Sequence, residues 1–305
     1  MTVISNVHSL GNLINGRKII IPDIQRAFSW RTGDTSFQDS SEASATALIE
    51  DLINYHTLVS SGIEYGYFLG SLIIRCDKNK ELESKSTSWE LLDGQQRMTS
   101  LTVLFIEIHN ILQLYDDEVS TLQCKKIRND WLKLDTNVFE SPAQDWTVAL
   151  YPRRESDRKA LKHLAQEEKI EEMINGPIKD VAIEYKKILD GMIIRDKNGL
   201  INTDKEKNPV KKIQDLLTTL FDKVIVAVIV TNESTMAYQM FQTANARGTP
   251  LNSLDLFRST VLKRIKTELN SSKENIGTIE EMLNWIEELI ALIAGEVKAK
   301  KESNV

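Results

Sequence analysis

The stretch E-L-L-D-G-Q-Q-R-M-T-S-L, residues 90–101, predicts how a strand is joined to a helix. The apolar residues 89–92 form the short strand, and the chain turns sharply at Asp93-Gly94. After Arg97, apolar residues recur every three or four positions to about Tyr115, which is the period of one helix face. The sequence therefore predicts a strand–turn–helix unit centred on Asp93-Gly94.

A turn of this kind is a candidate phosphate site. The first N–H groups of a helix have no partner within the helix, and the helix dipole adds positive charge there. Gly94 allows close approach to a ligand, and Gln95 and Gln96 supply neutral donors and acceptors. Arg97 supplies a cationic fork that suits phosphate. The alternative is an ordinary tight turn with a solvated Arg97, since short motifs are weak indicators.

Composition limits the class of protein. The chain has 305 residues, which is typical of about two domains, and its 41% hydrophobic content is enough for a core. A net charge of −6 argues against a broad nucleic-acid-binding face, although it leaves room for a local basic groove. Cys76 and Cys124 are far apart and lack metal-site spacing, which fits a reducing cytoplasm. No signal peptide and no membrane-spanning run is expected.

A second candidate segment lies near the amino terminus. Residues 3–16 are predicted to form a short helix and residues 19–21 a strand that Pro22 stops. In the following residues 23–30, Gln25 and Arg26 could lie over a ligand while Phe28 and Trp30 anchor the segment. The alternative is a loop pinned by Trp30, with Arg26 in a surface ion pair.

The remaining elements follow from periodicity and β-branched runs. A strand is predicted over residues 67–74, in which Gly70 allows a close backbone approach. The run of residues 224–230 is apolar on both faces, so a central strand is expected. Helices are predicted over residues 45–59, 124–134, 156–172 with Ser156 as N-cap, 178–192, 210–221, 234–244, from about 252 and 278–294.

A third candidate segment lies between two of these helices. Asn245 and Arg247 fall between the end of one predicted helix and the start of the next, near residue 252. Gly248 is well placed for a left-handed stop of the first helix, and Pro250 blocks its continuation. Donors for an anion could gather at such a junction. The alternative is a helix–helix corner that Asn245 caps.

Four motifs in this order carry a family resemblance. They are I-P-x-x-Q-R-x-F-x-W at 21–30, Y-F-L-G-S-L at 67–72, L-L-D-G-Q-Q-R-M-T-S-L at 91–101 and F-Q-T-A-N-A-R-G-T-P-L at 241–251. Together they closely resemble the N-terminal domain of GmrSD-type, modification-dependent restriction systems, which is related to the ParB and sulfiredoxin-like nucleotide-binding fold. The resemblance spans about residues 5–265, and the middle region matches only in character.

The resemblance implies an α+β fold with a small mixed β-sheet, a large helical insertion and C-terminal helices. It implies a nucleotide-binding core over residues 1–115, the insertion over 116–222, and a returning core strand with C-terminal helices over 223–305. It also implies a cytoplasmic role in anti-phage defence. In that role, binding or hydrolysis of a nucleoside triphosphate regulates a nuclease that acts on modified DNA.

The resemblance also implies which residues form the site. The expected nucleotide contacts come from Gln25, Arg26, Gly94, Gln95, Gln96, Arg97, Asn245 and Arg247. The expected catalytic residues are Asp93, Gln96 and Arg97. Of these, Asp93 is the candidate to hold Mg²⁺ through the nucleotide or to orient water, and the alternative is that it only caps the helix. This hypothesis requires Arg26, Arg97 and Arg247, which are distant in sequence, to converge on one pocket.

The nuclease itself is expected elsewhere. Such systems usually add an HNH-type nuclease domain, and the four histidines here, His8, His56, His109 and His163, are too scattered to form one. The chain is then a regulatory subunit, a piece of a longer protein or a member without cleavage. The alternatives are a non-catalytic nucleotide- or DNA-phosphate-binding module that switches a partner nuclease, and a chain that itself cuts DNA.

Overall fold

The computed structural model of the 305-residue chain falls into two compact units. Residues 1–22 and 27–244 form the first unit, and residues 23–26 and 245–305 form the second. All the elements given below belong to the first unit. The structure describes residues 3–14, 17–22, 25–33, 44–76, 88–132, 149–166, 170–194, 208–233, 236 and 239–240.

A six-stranded mixed sheet forms one layer of the first unit. Its strands are β1 (Val3–Ser9), β2 (Ile19–Ile21), β3 (Tyr67–Arg75), β4 (Trp89–Asp93), β5 (Leu150–Pro152) and β6 (Val224–Thr231). The strand order is β1-β6-β3-β4-β2-β5. Strands β1 and β6 are antiparallel, as are β3 and β4, whereas β3 is parallel to β6 and β2 is parallel to both β4 and β5. With the helices below, this confirms the predicted α+β class with a mixed sheet.

Helices pack around one central helix. They are α1 (Leu10–Leu13), α2 (Ala45–Ser60), α3 (Gln95–Leu112), α4 (Glu118–Ile127), α5 (Glu155–Ala165), α6 (Pro177–Met192) and α7 (Lys211–Lys223). Helix α3 contacts the helices α2, α4, α5, α6 and α7. Every residue of α3 except Arg97 and Asn110 is buried. The sequence pattern predicted burial of one face only, so the helix is buried more completely than expected. A helix covered on several sides must be apolar nearly all round.

One sequence-based expectation about the sheet needs correction, and another is confirmed. Residues 3–9 form strand β1 instead of the start of a helix, because their backbone pairs antiparallel with β6. Strand β6 lies between two others, as expected, but its exposure alternates along the strand. Val226 and Val228 are buried, whereas Ala227 and Ile229 are half-buried, so one face of this central strand is covered more fully than the other.

The predicted element boundaries hold best in strongly periodic segments. Strands β2, β3 and β4 and helices α2, α6 and α7 match their predictions to within about two residues. Helix α5 ends at Ala165, well before the predicted residue 172, and its N-cap is Arg154 instead of Ser156. Helix α4 begins at Glu118, before the predicted residue 124, and passes into a π-helical turn over Arg128–Leu132. Strand β5 was not predicted, and the expected helices after residue 244 lie outside the described residues.

The direction of three strands determines where the chain gathers polar residues. Strands β2, β4 and β5 are parallel, so their carboxyl ends lie at one end of the sheet. Helix α3 leaves from β4 there, helix α5 leaves from β5, and residues 27–30 follow β2. Ligand sites of sheets with helices commonly form at the carboxyl ends of parallel strands.

Candidate functional site

The turn between β4 and α3 has the backbone that the sequence predicted. Gly94 is the N-cap of α3 and has a φ of 95°, in the left-handed region that favours glycine. A Cβ atom at this position would overlap Cδ2 of Leu72 on β3. The strand therefore turns directly into the helix only because residue 94 has no side chain.

Arg97 braces the turn against the neighbouring strand β3. Its Nη1 donates to the carbonyl oxygen of Leu69 at 2.9 Å, and its Nη2 donates to that of Ser71 at 2.8 Å. Those carbonyls flank Gly70, which has a φ of 109° and lies where the pairing between β3 and β6 shifts register. A Cβ atom at Gly70 would overlap Nη1, so the close approach expected at this glycine is made by Arg97.

The charge of Arg97 is largely covered. Its side chain is 22% exposed, and Oδ2 of Asp93 lies 3.7 Å from its Nη2. Burial lowers the pKa of Arg97 and the charge of Asp93 acts against that change. The guanidinium remains protonated, because the ordinary pKa of arginine is far above neutral. Arg97 is thus not the solvated side chain of the alternative hypothesis, and two of its donors already hold backbone carbonyls.

Gln96 ties residues 27–30 to the start of α3. Its Oε1 accepts hydrogen bonds from the backbone N–H groups of Ser29, at 2.9 Å, and Trp30, at 3.1 Å. Its Nε2 donates to the carbonyl oxygen of Ala27 at 3.3 Å. A neutral amide is the side chain that can both accept and donate in this way. The second candidate segment of the sequence analysis is therefore joined directly to the turn.

Asp157 on α5 holds the same residues from another side. Its Oδ2 accepts a hydrogen bond from the backbone N–H of Phe28 at 2.9 Å, and the Ser156 hydroxyl lies 3.3 Å from Oδ1. Burial raises the pKa of Asp157, and the Phe28 N–H acts against that change. Sequence analysis missed this residue. The signal was its position on the buried stripe of α5, four residues before Leu161 and seven before Leu164.

The aromatic anchors of this segment are confirmed, but the full site stays a prediction. Phe28 is buried and Trp30 packs partly buried against the core of the first unit. Gln25 is buried and Arg26 half-buried, and both belong to the second unit. Asn245 and Arg247 lie outside the described residues. The convergence of the three arginines therefore remains a prediction.

Asp93 could supply one ligand of a metal ion, although it could not form a complete metal site. No group of three or more histidine, cysteine, aspartate or glutamate side chains that could hold a metal occurs within the described residues. Mg²⁺ is commonly bound by one or two carboxylates together with substrate phosphates and water. Asp93 lies at the turn, its side chain is 29% exposed, and it could supply one such oxygen. Gln95, the first residue of α3, is buried beside it.

The length and composition of the described helices bear on whether any of them could cross a membrane. In the part of the chain that the structure describes, no helix combines the length and the apolar character that crossing a bilayer requires. Helix α3 is the longest of these helices, and its 18 residues include Arg97 and Glu107.

Comparison with known proteins identifies the family. None of the curated proteins matches the sequence. The family model described as the GmrSD restriction endonuclease, N-terminal domain, matches residues 10–262. This range spans well over half of the chain. It includes the turn at Gly94, Gly70 beneath the Arg97 guanidinium, and residues 27–30, which Gln96 and Asp157 hold. The chain therefore belongs to the family of GmrSD restriction endonuclease N-terminal domains.

Proposed function

We propose that the chain binds a nucleoside triphosphate at the start of α3 and hydrolyses it to control a nuclease of a restriction system. Family membership supports the restriction part of this proposal. The observation that carries the nucleotide part is the turn at Gly94. A left-handed glycine leads from the carboxyl end of a strand into an 18-residue helix, and strand–turn–helix junctions of this kind commonly bind phosphate.

The electrostatics of this turn favour an anion. The dipole of α3 places partial positive charge at its first turn, and the largely covered guanidinium of Arg97 adds a full charge, which Asp93 at 3.7 Å partly offsets. Charges act over longer range where water is excluded, and most residues of this turn are buried. Phosphoryl transfer needs mainly positioning and charge stabilisation, which such a turn can supply.

We assign the roles of the side chains as follows. Asp93 would hold Mg²⁺ with the nucleotide, and the ion would neutralise phosphate charge. Gln96 would fix residues 27–30, and so limit the freedom of Gln25 and Arg26, which precede them. Arg97 would hold the turn rigid against β3. Gln95, Asn245 and Arg247 would complete the nucleotide contacts, and an HNH-type nuclease domain or subunit would receive the signal.

Binding without turnover is the second candidate function. The observation that favours it is the bonding of Arg97 to two carbonyl oxygens. A guanidinium held in this way is less free to move toward the negative charge that develops on the phosphate during hydrolysis. In this alternative the nucleotide, or a phosphate of DNA, would switch a partner nuclease simply by being bound.

A comparison of two isosteric variants tests the proposal. We expect the purified chain to bind at least one of the four common nucleoside triphosphates with Mg²⁺ and to release phosphate. Asp93→Asn should lower that release about 100-fold, because one directed charge is lost. The matched control is Asp180→Asn, at an exposed position in the first turn of α6, which should change nothing.

The outcomes separate the candidate functions. Absence of nucleotide binding by the unaltered chain would overturn the whole proposal. Binding without phosphate release would select the second candidate. Equal phosphate release by both variants would remove Asp93 from the mechanism.

A further inference from the structure

A cavity of about 310 Å³ is lined in part by Ala27 and Phe28, in the segment that Gln96 holds. Its walls come from Ala27 and Phe28, from α5, and from the chain over residues 172–179 that leads into α6. This volume is at the lower end of the range for small-molecule sites. The cavity suits a single ring system better than a whole nucleoside triphosphate.

The lining of the cavity suits a flat heterocycle. Phe28, Ala160, Met173 and Ile178 give it apolar walls. Polar side chains also line it, namely Ser156, Asp157, Lys159, His163, Glu172, Asn175 and Lys179. Apolar walls with a few polar groups are the usual arrangement for binding and orienting an organic ring. A nucleobase has both properties, since its faces stack and its edges form hydrogen bonds.

The surface beside the cavity is basic. The half-buried Arg158 and the exposed Lys159 and Lys162 lie on one side of α5. Glu155, the one carboxylate of that helix besides the buried Asp157, forms an ion pair with Lys159, with 2.7 Å between Oε1 and Nζ. We call these three cations the α5 basic face. Lys159 also lines the cavity, so the basic face and the cavity share a rim.

The positive charge continues onto the edge of the sheet. Lys18 Nζ lies 4.0 Å from the centre of the Tyr151 ring, and Arg158 Cζ lies 5.6 Å from it. Burial and then the nearby charge of Arg153 lower the pKa of Lys18. In a chain of net charge −6, such a concentration of cations is a local feature that fits a polyanion.

We propose that the cavity accepts one nucleobase turned out of a DNA strand while the α5 basic face binds the neighbouring phosphates. Phosphates supply most of the affinity in such complexes, and the pocket reads the extruded base. DNA is the polyanion we choose, because the family is that of a restriction endonuclease. The proposed DNA site is separate from the turn at Gly94, and no part of it depends on nucleotide binding.

The structure also connects the cavity to that turn. Phe28 lines the cavity, and its backbone N–H donates a hydrogen bond to Asp157. The backbone on either side of Phe28 is held by Gln96 at the start of α3. A base in the cavity would therefore press on residues whose backbone is bonded to the candidate nucleotide site.

The test uses a duplex containing 2-aminopurine, whose fluorescence rises when the base leaves the stack. We expect the unaltered chain, without nucleotide, to raise that fluorescence. The double variant Lys159→Ala/Lys162→Ala should bind about tenfold more weakly, and its affinity should depend less on salt, by about one unit of log–log slope for each phosphate that is no longer neutralised. Fluorescence anisotropy of a labelled duplex measures both quantities.

Two variants probe the cavity itself. Ala160→Trp should fill it, so that duplex binding persists while the fluorescence rise disappears. Should that variant fail to fold, Ile174→Trp tests the same point, because Ile174 lines the cavity and is 82% exposed. The matched control for the lysines is Lys211→Ala/Lys212→Ala, two exposed positions on α7, which should leave the affinity unchanged.

The proposal is overturned by either of two results. One is the absence of a fluorescence rise with the unaltered chain, or an unchanged rise in the folded cavity variant. The other is equal affinity of the two double lysine variants. Neither result would bear on nucleotide binding, which the Asp93→Asn comparison measures separately.

Discussion

Helices α3 and α5 begin at the same end of the sheet but with opposite chemistry. Helix α3 begins with buried, uncharged Gln95 and Gln96, and its one cation, Arg97, is bonded to the backbone of β3. Helix α5 carries three cations on one side. Both helices hold residues 27–30, through Gln96 and Asp157.

This difference shows that an arginine in a motif can serve mainly to support the backbone instead of contacting a ligand. At α3 the side chains of Gln96 and Arg97 are largely covered and bonded to neighbouring backbone, as in a rigid support. At α5 the side chains of Lys159 and Lys162 face solvent, as in a surface that meets a partner. Each prediction below tests whether this division is correct.

The largest effect is expected from Arg97→Ala. Removing the guanidinium leaves the carbonyl oxygens of Leu69 and Ser71 without their donor, and hydrogen bonds from a charged group contribute about 1.5–3 kcal/mol each. The free energy of unfolding should fall by about 4 kcal/mol, measured by urea denaturation. A loss below about 1 kcal/mol would mean that Arg97 is not a structural brace.

A pH-dependent effect is expected further along α3, from Glu107→Gln. Glu107 is buried against α6, and burial raises its pKa to about 7, opposed by Lys186 and reinforced by Asp190. A pKa that is higher in the folded state stabilises the fold below about pH 4.5, and this stabilisation is lost as the pH rises through 7. Gln cannot ionise, so it should raise the free energy of unfolding by about 2 kcal/mol at pH 8.

Urea denaturation at pH 5 and pH 8 measures this difference. At pH 5 the two proteins should have nearly the same stability, because Glu107 is then mostly neutral in the folded state. Glu64→Gln, at an exposed position, is the matched control and should show no gain at either pH. An equal gain at both pH values would assign the effect to packing instead of charge.

An intermediate effect is expected from releasing residues 27–30. Gln96→Ala removes the partner of two backbone N–H groups and one carbonyl, and should cost about 1–2 kcal/mol. Hydrogen exchange at Ser29 and Trp30 should accelerate. Asp157→Asn keeps an oxygen acceptor for Phe28, so its effect should be smaller and confined to that amide. Unchanged exchange in Gln96→Ala would show that the aromatic anchors alone hold the segment.

The smallest effect on stability is expected from Lys162→Ala. Lys162 is exposed, and surface substitutions away from special features usually change the free energy of unfolding by less than about 0.5 kcal/mol. Thermal unfolding should therefore be nearly unchanged while duplex binding weakens. A clear loss of stability would contradict the view of α5 as a partner surface.

Sequence patterns predicted the parts of the fold that local physics determines. The turn at Gly94, the glycine at position 70 and the aromatic anchors at Phe28 and Trp30 were each expected, and the structure confirms them. Strong periodicity or a β-branched run also located α2, α6, α7 and β6 to within about two residues. Each of these features depends on residues close together in the sequence.

What the sequence could not predict depends on distant partners. Strand β1 exists because β6, more than two hundred residues later, pairs with it. The bonds from Arg97 to carbonyls near Gly70 join two motifs that look independent in the sequence. The position of Asp157 on the buried stripe of α5 could be read from the sequence, but its partner, the backbone N–H of Phe28, lies 129 residues away in the sequence and could not. The predicted site residues Arg26, Asn245 and Arg247 stay predictions, as do the proposed domain boundaries.

The fit between Gly70 and Arg97 has a consequence for the history of the family. A methyl group at position 70 cannot coexist with the guanidinium as it lies here. A shorter residue at position 97 would leave an unfilled space, and the carbonyl oxygens of Leu69 and Ser71 would lose their hydrogen-bond donor. Natural relatives should therefore change these two positions jointly or keep both, so that neither substitution is inherited without the other.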